Sequence, residues 1–441
     1  MTDRELRQAY FNHLGDRALE PDDPLYVPLY EESSDVILVM KEAIDFSIGT
    51  DSVQLLSGYR GSGKSTELKR LRSLLHDSGY LVVLIDIEEH LDLHTPVDIT
   101  DFLLALCGAL GEALEDDSLL GRNTSKESPW DRFVNWLKSE VELPEITADV
   151  PVGATTLGLK AELRTNPTFR HQIQERLSRS LSVFNAKVRA FVSESVRALQ
   201  QEYGDAPLVM LIDSIEHARG TRANEADIHA SLERLFAQHD DKLKLPYVHV
   251  IYTVPPWLRI RSPGLGARYN GLYTLPEQKV HVYTPEESAS PQPYLPGLAL
   301  LERVVRKRID PDHLLGSQES LNRLLLVSGG HLRDLIRLLR AVVLQARTLP
   351  ASEKDTTAAI ERTRAEFLPI ADQDALWLAK IARTRKASLG TQGSVGDLSR
   401  FFDTHLVLCY LNGREWFDVH PLVRDIVLEQ AEALQETPPA P

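Results

Sequence analysis

The chain has 441 residues, 43% of them hydrophobic and 26% charged, with a formal net charge of −15. That length suits roughly two or three domains, and the acidic balance opposes nonspecific attraction to a nucleic-acid backbone. No apolar run approaches the roughly 18 residues of a membrane span, so contact with a membrane is not expected.

The first residues carry Asp3, Arg4, Glu5, Arg7, Asp16, Arg17 and Glu20 and lack the apolar run of a signal peptide. Cys107 and Cys409 stand far apart among leucines, a setting that suits buried free thiols in a reducing compartment. A soluble cytoplasmic protein is the expectation.

A proline-punctuated arm, Pro21 to Tyr30, leads into a helix of about 13 residues carrying Val36, Leu38, Val39, Ala43 and Ile44. Ser52 to Ser57 reads as a strand. It runs straight into Gly58-Tyr59-Arg60-Gly61-Ser62-Gly63-Lys64-Ser65 and then a helix patterned by Leu68, Leu71, Leu74 and Leu75. The continuous apolar run Tyr80 to Ile87 is expected to be a parallel strand buried on both faces. A helix follows near Ile99 to Leu114. Leu157, Leu159, Ala161 and Leu163 alternate with polar residues, which predicts a hairpin over Ala148 to Leu163.

From Pro167 to Leu199 the three-to-four spacing of apolar residues predicts one long amphipathic helix. Leu208–Ile212, Val248–Tyr252 and Val280–Tyr283 are further strand candidates, and five strands in a βα series imply an α/β, doubly wound parallel sheet. Beyond Pro296 the pattern is helical to about Phe367, a helical lid. The last piece has helices, two apolar runs around Asn412-Gly413, the strongest short hairpin signal, and a helix from Pro421. That order suggests a winged-helix-like end. The expected domains are an arm and helix at 1–50, a P-loop core at 51–290 with an insert at about 115–170, a lid at 291–370, the winged-helix-like domain at 371–436 and a tail at 437–441.

The glycines at 58, 61 and 63 let backbone N–H groups approach a phosphate chain at a helix N-terminus. Lys64 then reaches the β- and γ-phosphates, Ser65 places a hydroxyl on Mg²⁺, and Thr66 completes the nucleotide-binding stretch. Asp213, at the end of an apolar strand, is the expected carboxylate for the metal's water shell. Glu216 is the candidate to polarise attacking water. Thr253 ends another strand with a polar group, and Arg333 stands one turn into a lid helix after Ser328-Gly329-Gly330-His331. Arg259, Arg261 and Arg268 are arginine-finger candidates. His90 and His94 have helical spacing but no companion ligands, so zinc is not expected.

Together Gly58 to Ser65, Asp213, Thr253, Arg333 and the winged-helix-like end resemble the AAA+ ATPases and their relatives, the STAND signalling NTPases. The resemblance implies a Walker A motif at Gly58–Ser65, a Walker B strand at Leu208–Asp213, sensor 1 at Thr253 and sensor 2 at Arg333. It further implies ATP and Mg²⁺ as cofactors, a homo-oligomer, and a protein effector partner controlled by a nucleotide-driven switch. Ser214 stands where many AAA+ proteins have Glu, and this Asp-x-x-Glu form is closer to STAND proteins.

The loop and the Ser328–Leu335 stretch are also similar to those of uncharacterised bacterial ATPases, some suspected of antiphage roles. Two alternatives remain open, a DNA-loading or DNA-remodelling ATPase and a slow-turnover nucleotide-bound scaffold. Against the former, residues 371–441 carry seven basic and ten acidic side chains, with Arg383-Thr384-Arg385-Lys386 as the one basic cluster.

Overall fold

The computed structural model describes residues 2–31, 34–47, 49, 51–116, 119–120, 128–141, 160–221, 223–284, 291–387 and 395–436. Along the chain lie α1 (Asp3–His13), α2 (Val36–Asp45), β1 (Ser52–Ser57), α3 (Lys64–Asp77), β2 (Leu81–Asp86), α4 (Ile99–Glu115), α5 (Pro129–Val141) and α6 (160–165). Next come α7 (Pro167–Arg179), α8 (Leu181–Tyr203), β3 (Leu208–Asp213), α9 (Glu225–Gln238), α10 (Asp240–Leu243), β4 (Val248–Val254), α11 (Leu258–Arg261) and β5 (Gly271–Thr274). The remainder is α12 (Leu295–Arg308), α13 (Pro311–Leu315), α14 (Gln318–Val327), α15 (Leu332–Gln345), α16 (Glu353–Arg364), α17 (Asp372–Thr384), α18 (Val395–Asp403), β6 (Val407–Asn412), β7 (Arg414–Val419) and α19 (Pro421–Glu436).

Two compact units divide these elements. One comprises Met1–Asp35, Gly58–Thr66 and Leu275–Pro441, and the other Val36–Ser57 and Glu67–Thr274. The second unit is an α/β doubly wound fold around a five-stranded parallel sheet in the order β2-β3-β4-β1-β5. β4 therefore separates β1 from β3. β1, β3 and β4 are buried along their whole length, as parallel strands covered on both faces must be.

The first unit is mainly helical. Its core gathers Leu321, Leu324, Leu335, Leu338, Leu339 and Val342 from α14 and α15, together with Tyr10 and Leu14 from the N-terminal end. Each fully buried leucine or valine contributes roughly 1.5–3 kcal/mol. In the C-terminal part, α17, α18, the β6–β7 hairpin and α19 follow one another, and Asn412 and Arg414 flank Gly413 at φ 69°.

Several expectations change. The N-terminal stretch contains α1, which the hydrophobic pattern alone does not announce. Its start is a capping box, with Glu5 N–H donating to the Thr2 hydroxyl at 3.3 Å and Thr2 N–H to the Glu5 carboxylate at 2.8 Å. The helix at Val36 has 10 residues. The long helix from Pro167 is two helices, broken at Ser180 (φ −129°, ψ 38°). A one-residue break leaves the three-to-four apolar spacing intact, so periodicity cannot see it.

Val280–Tyr283 is not a strand of the sheet. His281 makes a single bridge to Pro293, and proline has no N–H with which to extend a ladder. The fifth strand is instead Gly271–Thr274, beside β1. Most of the hairpin expected over Ala148–Leu163 lies outside the described residues, and its last part, 160–163, is helical. β2 is an edge strand and only partly buried.

Candidate nucleotide site

In the first unit the glycine loop holds a tight, internally bonded form. Gly61 and Gly63 have φ of 91° and 100°, a region open to glycine at little cost. A Cβ on Gly61 would also stand 2.7 Å from the Arg333 Cβ, so both backbone and packing demand glycine there. Ser62 N–H and hydroxyl both donate to the Tyr59 carbonyl, at 3.2 and 2.9 Å. The Lys64 ammonium donates to the carbonyls of Gly58 (2.9 Å) and Tyr59 (2.5 Å), which holds it over its own loop at the N-terminus of α3. The Tyr59 ring is buried against Phe402 and His405, with centroids at 5.8 and 5.9 Å, so it anchors the loop.

Arg333 sits on this loop. Its backbone N–H donates to the Gly61 carbonyl at 3.3 Å, and its Nε donates to Asp16 Oδ2 at 2.7 Å. Thr66 accepts from Leu19 N–H through its hydroxyl at 3.1 Å, while Ser65 and Arg60 are half-buried. The arm between α1 and α2 thus packs beside the loop, with Val27 and Leu29 in a small cluster with Val304 and Leu332.

In the second unit, Asp213 and Thr253 stand at the C-terminal edge of the sheet, the edge at which β1 ends in Ser57. Asp213 is buried, and its Oδ1 accepts from Ser214 N–H at 2.8 Å. Ser214 is left-handed (φ 73°, ψ 4°), a conformation costing a non-glycine residue roughly 1–2 kcal/mol. It turns the chain at once into a short 3₁₀ turn, Ile215–His217. The Thr253 hydroxyl accepts from Ile215 N–H at 3.2 Å, so the expected sensor braces the turn that carries Glu216.

Glu216 is buried with Oε1 3.8 Å from His217 Nε2, and His217 Nδ1 is 2.8 Å from Glu88 Oε2. Sequence reasoning passed over Glu88 and His217. The signal was available, because an Ile-Glu pair, Ile87-Glu88, follows the Asp86 end of β2 much as Ile215-Glu216 follows the Asp213 end of β3.

Two finger candidates are committed within the same unit. Arg261 pairs with Glu233 at 3.0 Å and lies over the Trp257 ring, and Arg268 pairs with Asp240 at 3.4 Å.

No protein-family model matches the chain, nor does any curated protein. Among solved structures it is similar to the ORC2 protein of Aeropyrum pernix in ADPNP-ADP complexes, at 13% identity over 94% of this chain and 98% of that one, with a TM-score of 0.42. The ADP form of ORC2 gives 12% identity over 98% and 99%, with a TM-score of 0.43. A Walker-type ATPase of Pyrococcus abyssi gives 12% over 94% and 99%, with a TM-score of 0.42. At that distance no residue role transfers to this chain.

Proposed function

We propose that the chain is an ATP-binding P-loop ATPase of the AAA+/STAND kind, whose nucleotide state acts as a conformational and oligomerisation switch on a protein partner. The observation that carries this reading is the glycine loop, with a buried strand before it, a helix N-terminus after it, and two glycines at positive φ, the first of which leaves no room for a side chain. Such a loop turns successive N–H groups toward a phosphate chain. Lys64, now on its own loop carbonyls, has the reach to exchange them for β- and γ-phosphate oxygens.

Mg²⁺, when bound, supplies charge neutralisation at those oxygens. The Ser65 hydroxyl and the Asp213 carboxylate are this chain's groups for holding it. Glu216 is the group to orient attacking water. Arg333 links occupancy to movement, because a γ-phosphate would compete with Asp16 for the guanidinium as a stronger anionic partner.

The basic run offers little to a DNA duplex. Arg385 is buried in an ion pair with Asp418, and Arg383 reaches Glu432 at 3.5 Å.

Calorimetry with Mg-ATP should give saturable binding to the wild type and none to Lys64→Ala, and light scattering should show a larger particle with ATP. Equal heats in both proteins would remove the nucleotide reading. An unchanged particle would remove the switch alone. Steady-state hydrolysis by Glu216→Gln, expected to fall by about 100-fold, separates an active enzyme from a nucleotide-holding scaffold.

A further inference from the structure

One cluster in the first unit is not used by the reading above. His331 caps the start of α15, Asp334 lies one turn later, His405 follows α18 and His420 precedes α19. His331, Asp334 and His420 are fully buried. His331 Nε2 and His405 Nδ1 each lie 3.9 Å from Asp334 Oδ2, and these three atoms are all within 4.8 Å of one another. The other Asp334 oxygen is already bound to Arg337 Nη1 at 3.0 Å.

His331 Nδ1 stands 3.1 Å from Glu277 Oε1, and a carboxylate only accepts, so the ring hydrogen sits on Nδ1. Its Nε2 faces Asp334 Oδ2 across 3.9 Å. It is buried without a hydrogen-bond partner, while buried Asp334 Oδ2 has His420 Nε2 at 3.4 Å. Two imidazole nitrogens and a carboxylate oxygen converging in a buried place form a nitrogen-and-oxygen donor set of the kind a divalent cation takes. His420 plays a different part. Its Nδ1 accepts from Leu422 N–H at 3.2 Å, so its hydrogen is on Nε2, which faces Asp334 Oδ2 at 3.4 Å and orients the carboxylate.

We propose that His331 Nε2, Asp334 Oδ2 and His405 Nδ1 bind one divalent transition metal, zinc, with Glu277 and His420 as its supporting outer partners. Zinc takes nitrogen and carboxylate ligands at about 2.0–2.2 Å in a tetrahedron, which sets ligand atoms roughly 3.3 Å apart. Closing the two 3.9 Å separations to that value takes about half an ångström each, and the third, within 4.8 Å, takes up to about 1.5 Å of side-chain movement. The pairing of His331 with Glu277 is the carboxylate–histidine arrangement that fixes a metal-ligating ring and raises its basicity. His405 is held at φ 59°, an uncommon backbone state for a non-glycine residue, and strain of that kind clusters at functional sites.

With three protein ligands, the fourth position falls to water on the exposed side of His405, whose side chain is 16% accessible. The metal would tie the start of α15, two residues before Arg333, to the segment between α18 and β6.

The test is metal analysis of the full chain, expressed with zinc in the medium and freed of loose metal by gel filtration. About one zinc per chain is expected. Removal by 1,10-phenanthroline should lower the unfolding temperature by several degrees, and zinc should restore it. Cobalt(II) in its place should give the intense visible bands of a four-coordinate site. His405→Gln and Asp334→Asn should retain fold by circular dichroism and lose the metal. Should either variant fail to fold, the wild-type unfolding shift and cobalt spectrum decide the matter. Less than a tenth of an equivalent of zinc, with no zinc-dependent shift after chelation, overturns the proposal, and stoichiometric iron in place of zinc overturns the choice of metal.

Discussion

β2 and β3 are near twins in sequence, Leu-Val-Val-Leu-Ile-Asp and Leu-Val-Met-Leu-Ile-Asp, and they pair residue by residue, Leu81 with Leu208 through Asp86 with Asp213. Their fates differ. β3 lies inside the sheet, buried at all six positions, while β2 forms its edge and is half-exposed. Asp86 is exposed and caps a local turn through Glu88 N–H at 3.1 Å. Asp213 is buried beside β4, and the turn after it is braced by Thr253. Position in the sheet, not the hexapeptide, separates a buried carboxylate from an exposed turn cap.

The largest expected difference between the twins is chemical. Asp213→Asn should reduce ATP hydrolysis by about 100-fold or more, whereas Asp86→Asn should stay within about twofold, read as phosphate release at saturating Mg-ATP. Equal losses would erase the distinction. Stability should follow burial. Leu211→Ala is expected to cost about 2–5 kcal/mol in urea unfolding, and Leu84→Ala roughly half of that, because water already reaches the edge strand.

A smaller effect belongs to the brace. Thr253→Val should cost about 1 kcal/mol through the lost acceptor for Ile215 N–H, and Thr253→Ser should retain most of it. A fall in kcat with Thr253→Val far beyond that energy would mark Thr253 as a sensor as well as a brace.

A pH-dependent effect concerns the turn after β2, which His90 caps. Burial, with Lys160 nearby, pushes its imidazole down to about 4 from its ordinary 6.5. The unfolded chain therefore binds this proton first, so the contribution is complete above pH 6.5 and is lost as pH falls toward 4. His90→Gln should flatten the loss of unfolding temperature over that window, and an unchanged slope would show that His90 is not a source of it.

What could be read in advance follows from how each signal is carried. The glycine loop, the apolar strands β1, β3 and β4, and the Asn412-Gly413 turn write their structure into local residue types. β5 does not, because four half-buried residues beginning at Gly271 have neither length nor alternation. The break at Ser180 changes backbone angles without disturbing the apolar stripe. Among site groups, Lys64, Asp213 and Arg333 were singled out by motif, but Asp16 as the carboxylate on Arg333, Glu88 on His217 and the imidazoles around Asp334 are partners set by tertiary packing. Their sequence separation hid them, as with Asp16 and Arg333, 317 positions apart.

Gly58–Thr66 is counted with one compact unit although the strand before it and most of the helix after it belong to the other. Genetic dissection meets this directly. A fragment spanning residues 36–274 would carry the loop but leave behind Leu275, Arg333, Phe402 and His405, the neighbours that shape it, and a fragment starting at Leu275 would carry those neighbours without the loop. The glycine loop therefore cannot be inherited, transplanted or expressed with its sheet alone, and recombination that separates the two units would part the loop from its neighbours before it touched either core.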